Sequence, residues 1–153
     1  MSRRADQKVL GYLGRALSLE LSAVQLYTTQ SCMAAVWGLA EPAERFAQEA
    51  REEMGHVERI IGRILALGAV PAASQLRPVG VGAELSELLQ YDKDFENELI
   101  ALYRDASEYC ASQGFQDDRL FFRQLMGEEQ EHANELDSWL AQVKGTGNGG
   151  ARF

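Results

Sequence analysis

The two histidines of this 153-residue chain, His56 and His132, each close a Glu-Glu-x-x-His sequence, "REEMGH" at 51–56 and "GEEQEH" at 127–132. Residues three apart on a helix share a face, so each motif offers a carboxylate oxygen and an imidazole nitrogen to one point in space. That combination ligates a divalent cation when the carboxylate is ionised and the imidazole neutral. One such pair alone says little, because Glu and His on a helix usually belong to its solvated face. The pairs here stand in a longer correspondence: adding 76 to Glu20, Tyr27, Glu52, Glu53 and His56 gives Glu96, Tyr103, Glu128, Glu129 and His132. Two helical hairpins therefore repeat, and the matching residues are ionisable or phenolic ones, which selects chemistry over packing as the shared feature.

These residues must be positioned by long helices, because the three prolines (Pro42, Pro71 and Pro78) leave long uninterrupted segments. A first helix is expected from about Asp6 to Trp37, with Leu10, Leu13, Leu17, Val24 and Tyr27 at three- and four-residue steps and Gly38 as its stop. A second opens with Pro42 in its first turn and runs through Phe46, Ala50, Val57, Ile60, Ile64 and Leu67 to Gly68. A third spans about Ala83 to Ser112 and a fourth about Asp118 to Lys144. Between the second and third, "AVPAASQLRPVGVG" at 69–82 reads as a non-helical connection long enough to cross a bundle from end to end. The fold class is all-α: two hairpins joined by one long crossover, a four-helix bundle over residues 1–144, with residues 145–153 a flexible Gly-rich tail.

Glu20 falls between Leu17 and Val24 on the apolar stripe of its helix, and Glu53, Glu96 and Glu129 sit likewise on theirs. Each helix thus directs one carboxylate inward. Four buried, uncompensated carboxylates would cost several kcal/mol each, against a whole-domain stability of roughly 5–15 kcal/mol. Two divalent cations balance four carboxylates, and His56 and His132 complete the shell. A Glu from each of two helices and Glu-x-x-His from the other two is the pattern of ferritin-like di-iron bundles. Oxygen-rich ligation with one histidine per metal favours iron or manganese over structural zinc, with iron the expected metal.

Composition sets the outer limits. Fifteen Lys and Arg against 23 Asp and Glu give a net charge of −8, which argues against nucleic acid as a partner. No segment approaches membrane-spanning length and no leader pattern opens the chain, so a soluble cytoplasmic protein is expected. Cys32 and Cys110 belong to no Cys-x-x-Cys pair and are read as reduced core residues.

The sequences "VLGYLGRALSLELSAVQLY", "VWGL", "REEMGHVERIIGRIL" and "EEQEH" together resemble bacterioferritin over about residues 7–142. The resemblance implies terminal carboxylates at Glu20 and Glu96, bridging carboxylates at Glu53 and Glu129, and one iron each on His56 and His132. Tyr27 matches a tyrosine near the family's centre; a hydrogen bond to a ligand, electron donation and an ordinary core aromatic all fit it. Asp92, one turn before Glu96, fits either a group orienting a histidine or a solvated carboxylate. Met54 is turned about 100° from Glu53, toward the outside of the helix pair, and matches the methionine with which bacterioferritins hold haem between two subunits; gap filling is the plainer use of such a residue. Gly55 beside it suggests close approach of a porphyrin or a partner helix.

The implied activity is that of a ferroxidase, oxidising Fe(II) with O₂ or peroxide and storing iron in a homo-oligomeric cage built from two-fold dimers, with haem reduced by a ferredoxin-type partner. The "AQVKGTGNGGARF" ending departs from the family, since its glycines do not suit the usual short fifth helix, and this leaves 12 and 24 subunits both open. Two competing readings are a non-storage di-iron peroxidase or oxygenase, disfavoured by the missing Cys-x-x-Cys electron-transfer module, and a haem-binding structural assembly, disfavoured by the complete ligand set.

Overall fold

The computed structural model describes residues 5–80 and 82–146, and within them the chain forms four helices: α1 (Gln7–Val36), α2 (Ala40–Ala66), α3 (Leu85–Gln113) and α4 (Gln116–Gly145). Each is near 30 residues, or about 45 Å at 1.5 Å per residue, long enough to hold a ligand at mid-length with apolar turns on both sides. Helix α1 packs on α2, α3 on α4, and α1 on α3. All four expected helices are present, with ends shifted by no more than about three residues from the expected bounds. The expected tail falls largely on residues 147–153, outside the described residues, and the bundle has no fifth helix among the described ones.

Local chemistry fixes the helix ends. Asp6 Oδ1 caps α1 by accepting the backbone N–H groups of Lys8 and Val9 at 2.9 and 3.0 Å. The same carboxylate accepts the Tyr109 hydroxyl at 3.1 Å, which fastens the start of α1 to the end of α3. Gly114 closes α3 with φ 75°, a left-handed conformation that glycine adopts without steric cost. Near the far ends of α2 and α4, Arg63 Nε donates to the buried Asp118 at 2.9 Å. This pair joins the C-terminal turn of α2 to the N-terminal turn of α4, where each charge also complements its helix dipole.

The crossover between α2 and α3 meets α1 at Gln75 and Arg77. Its backbone N–H groups at Gln75 and Arg77 donate to Ser18 Oγ (3.1 Å) and Ser22 Oγ (2.9 Å), so two hydroxyls one turn apart on α1 hold the extended segment in place. At Gly80 the backbone passes so near the Tyr91 ring that a Cβ would overlap it, and glycine is needed there for space.

Aromatic residues close the core on either side of its middle. Phe46 and Trp139 pack with centroids 5.0 Å apart toward one end, while Tyr12, Tyr103 and Phe122 cluster toward the other. Cys110 is buried as expected, but Cys32 is exposed. It stands two residues, or about 200°, beyond the buried Gln30 and so points away from the core.

Replacing Arg63 with Ala leaves Asp118 buried without this partner, which should lower the free energy of unfolding by about 3 kcal/mol. Urea denaturation of the metal-free protein measures this; an unchanged midpoint would show that the pair does not fasten α2 to α4.

Candidate metal centre

The inward stripes of all four helices carry their polar residues at mid-length. Glu20, Glu53, Glu96 and Glu129 are wholly buried, and His56 and His132 nearly so. The six form two overlapping groups whose ligand atoms lie within 4.8 Å of one another: Glu20, Glu53, His56 and Glu129, then Glu53, Glu96, Glu129 and His132. Glu53 and Glu129 belong to both groups, while Glu20 and Glu96 each belong to one. Each histidine crosses to the other hairpin: His56 Nδ1 lies 2.6 Å from Glu129 Oε1, and His132 Nδ1 lies 3.1 Å from Glu53 Oε1. The two rings lie nearly parallel, 6.0 Å apart.

The phenols cross in the same way. Tyr27 donates to Glu96 Oε1 at 2.7 Å and Tyr103 donates to Glu20 Oε1 at 2.8 Å. Each tyrosine thereby orients the singly used carboxylate of the other hairpin, leaving its second oxygen to face the centre. Tyr103, visible in the 76-residue correspondence but given no role from sequence, is thus the equal of Tyr27.

Electrostatics shows what the residues require. Both oxygens of Glu53 and Glu129, one oxygen of Glu96 and the His132 Nδ1 accept or donate no hydrogen bond of good geometry. Such atoms are rare in folded interiors and mark a place for an ion or an ordered water. Burial pushes the Glu53 and Glu129 carboxyls well above their ordinary range, and repulsion from Glu96 and Glu20 adds to it. Burial acts against the His132 imidazolium, but the Glu53 carboxylate 3.1 Å away, then Glu49, outweigh it and raise the group to about 10. His56 is likewise raised: burial opposes its charged form, and Glu20 more than offsets this. Protons thus stand where two cations of total charge +4 would fit the donor set.

Four further residues belong to the surroundings. Asp92 is buried, but it accepts from the Gln30 amide at 2.6 Å and orients no histidine; the one-turn spacing from Glu96 directs it to the next layer of the core. Glu128 lies 3.4 Å from His56 Nε2, and Glu52 lies 2.7 Å from His132 Nε2. Glu49, one turn before Glu53, places Oε2 3.7 Å from His132 Nδ1. Its spacing already put it on the ligand stripe, although it has no counterpart in the repeat, where Leu125 stands.

This geometry agrees with known proteins. A Ferritin-like domain model matches residues 10–146. The chain is 35% identical to a Rhodobacter capsulatus bacterioferritin over 138 residues, 90% of this chain and 86% of that one. It is 36% identical to a Synechocystis bacterial ferritin over 140 residues, 91% and 90% of the two chains. A solved structure of the R. capsulatus bacterioferritin superposes with a TM-score of 0.89 at 34% identity, covering 93% of this chain and 89% of that one. The chain belongs to the bacterioferritin family. That solved structure is described as having a metal-free dinuclear site and haem iron in a crystallographic special position.

In this bacterioferritin-family chain Met54 lies on the outside of α2, 42% exposed, as its 100° offset from Glu53 requires. Among the described residues, nothing beyond its own helical turn comes within 4 Å of a Cβ placed on Gly55, so no close approach among them demands that glycine. No described helix is long and apolar enough to cross a membrane.

The pH dependence of the metal-free fold follows from these shifts. His132, raised to about 10 from 6.5, contributes stability that is complete below about pH 6.5 and is lost as pH rises toward 10. Glu49, which burial raises from 4.5 to about 7, also favours the protonated folded form, so its contribution falls as pH rises through that interval. Thermal melting of metal-free protein should therefore give a midpoint that drops from pH 5 to 9, and saturating Co²⁺ should flatten the drop while releasing protons. A metal-free midpoint that rises over this range would contradict the assigned protonation.

Proposed function

We propose that this chain is a ferroxidase subunit of an iron-storing cage. The observation that carries the reading is the sharing of Glu53 and Glu129 by both ligand groups. Two carboxylates common to two sites hold a pair of cations side by side, with Glu20 and His56 completing one site and Glu96 and His132 the other. Iron is the substrate here: two Fe²⁺ each give one electron to O₂, which takes up two protons and becomes hydrogen peroxide, or to hydrogen peroxide, which takes up two protons and becomes two waters. Oxidation raises the total charge of the pair from +4 to +6, while the four carboxylates balance only +4. The extra charge of +2 must be balanced by hydroxide or oxide drawn from water with release of protons, and hydroxide-bearing ferric iron is the form from which mineral grows.

The surrounding residues support this assignment. Tyr27 and Tyr103 hold Glu96 and Glu20 in register, and the phenol of Tyr27 is also an electron donor within contact of a ligand. A polar groove of about 400 Å³, lined in part by Glu52, His56, Glu128 and His132, opens over both histidines. Hydrated cations have a route to the imidazoles by that path, and its carboxylates attract them.

Haem is the second part of the proposal. Met54 carries a soft thioether on an exposed helix face beside an unobstructed glycine, and it would hold the haem iron at a contact between two subunits. When bound, the porphyrin supplies one-electron chemistry for returning stored ferric iron to the soluble ferrous state. The cage of two-fold dimers, of 12 or 24 subunits, and a ferredoxin-type reductant complete the reading, which places the protein in the cytoplasm.

Replacing Glu53 and His56 together with Ala should slow rapid Fe²⁺ oxidation by about 100-fold or more, with the assembly still intact by sedimentation. Undiminished oxidation in an assembled variant would remove the assigned roles. Met54→Leu should abolish the haem Soret band; a variant that keeps its haem would refute the axial ligand.

A further inference from the structure

His56 and His132 occupy matching places in the 76-residue repeat, but what stands behind each ring differs. A neutral imidazole offers a lone pair from one nitrogen and carries its proton on the other, and the partner of the protonated nitrogen sets the ring's direction. His56 turns Nδ1 to the centre, 2.6 Å from Glu129 Oε1, and Nε2 outward, 3.4 Å from Glu128 Oε1. Glu128 is itself held by Arg59, whose Nη1 donates to both carboxylate oxygens at 2.7 and 2.9 Å. Guanidinium, carboxylate and imidazole thus stand in line, and the last aims Nδ1 at the group formed with Glu20, Glu53 and Glu129.

The other side lacks the first member of this line. Glu52 matches Glu128 and approaches His132 Nε2, but the residue matching Arg59 is Glu135. Among the described residues no Lys or Arg forms an ion pair with Glu52, which accepts from the Gln48 amide at 3.3 Å. The Arg59 and Glu128 side chains are 39% and 44% exposed, and an ion pair so open to water contributes little to folding stability. What it fixes is direction. A glutamate at the mouth of a groove has many rotamers, and a guanidinium gripping both its oxygens selects one that meets His56 Nε2. A carboxylate on that N–H also strengthens the opposite nitrogen as a metal donor.

We propose that Arg59 and Glu128 are positioning residues for His56, acting on that half of the proposed dinuclear centre alone. The cation position served by His56 is then the tighter of the two, and the two halves of a duplicated site are unequal because one arginine is not duplicated. The comparison of two positions rests on the dinuclear reading, whereas the line from Arg59 through Glu128 to His56 needs only His56 as a ligand. The sign of one substitution separates positioning from charge. Removing the Arg59 cation should by charge alone strengthen binding of a nearby metal ion; removing the support of Glu128 should weaken it.

Calorimetric titration with Zn²⁺ and solid-state NMR of the Zn²⁺-loaded protein test this together. Arg59→Ala and Glu128→Ala should each weaken one of two bound ions by about 10–100-fold, and Arg59→Lys and Glu128→Gln, which keep a cation or an acceptor oxygen in place, should recover most of the loss. With only two histidines in the chain, ¹⁵N-histidine labelling leaves two rings to assign. The His56 Nε2–H proton should lie downfield in the wild type and move upfield in both Ala variants, while the His132 signals stay. Tighter binding in Arg59→Ala, or an unmoved Nε2–H signal in both Ala variants, would overturn the positioning role and leave the dinuclear reading intact. Saturation at one Zn²⁺ per chain, with affinity and His56 signal both responding to the substitutions, would uphold the role and remove the dinuclear reading.

Discussion

Four carboxylates converge in the middle of a helical bundle, away from water, and the rest of the structure accommodates their repulsion. A core of this size gains its stability from apolar burial, and ionised groups at its centre oppose that gain unless something neutralises them. Protons do so in the metal-free chain, which is why Glu53, Glu96 and Glu129 resist ionisation while the histidines hold their protons. Two divalent cations would do so more completely, because they also satisfy the oxygens that accept no hydrogen bond. Charge balance, more than affinity of any one residue, links the fold to its chemistry.

The duplicated hairpin is how the chain meets that requirement. Each hairpin gives one glutamate, one Glu-x-x-His and one tyrosine, and four contacts at the centre run between hairpins: His56 to Glu129, His132 to Glu53, Tyr27 to Glu96 and Tyr103 to Glu20. Neither hairpin can form the centre alone. The crossover held by Ser18 and Ser22 brings the halves into antiparallel register, and aromatic clusters on both sides of the site keep the chain from relaxing around the buried charge. The same duplication makes departures from it informative, since Glu49 and Arg59 each appear on one side only.

Much of this was legible in the sequence because helix periodicity and ligand spacing are local properties. Glu20 between Leu17 and Val24 could point only inward, and the four helices followed from the breakers between them. Contacts between helices were not legible: the family resemblance placed Tyr27 near the centre, but nothing local could reveal that its partner is Glu96 on another hairpin. Asp92 was placed one turn before Glu96 with both a histidine-orienting and a solvated role open, and its buried pairing with Gln30 depends on how α1 and α3 meet. Glu49 carried a signal, the one-turn step from Glu53, that a comparison of matched positions passes over because its match is Leu125. Cys32 was misplaced because the apolar character of cysteine weighed more than its angle on the helix.

The most direct test of the central claim is an aerobic titration of the metal-free protein with Fe²⁺, following both the rate of oxidation and the iron retained per chain. The account predicts a rapid phase that ends near two irons per chain, one for each ligand group, followed by slower uptake into a soluble mineral. A rapid phase with no further retention would contradict storage, and oxidation no faster than in buffer would contradict the ferroxidase centre itself.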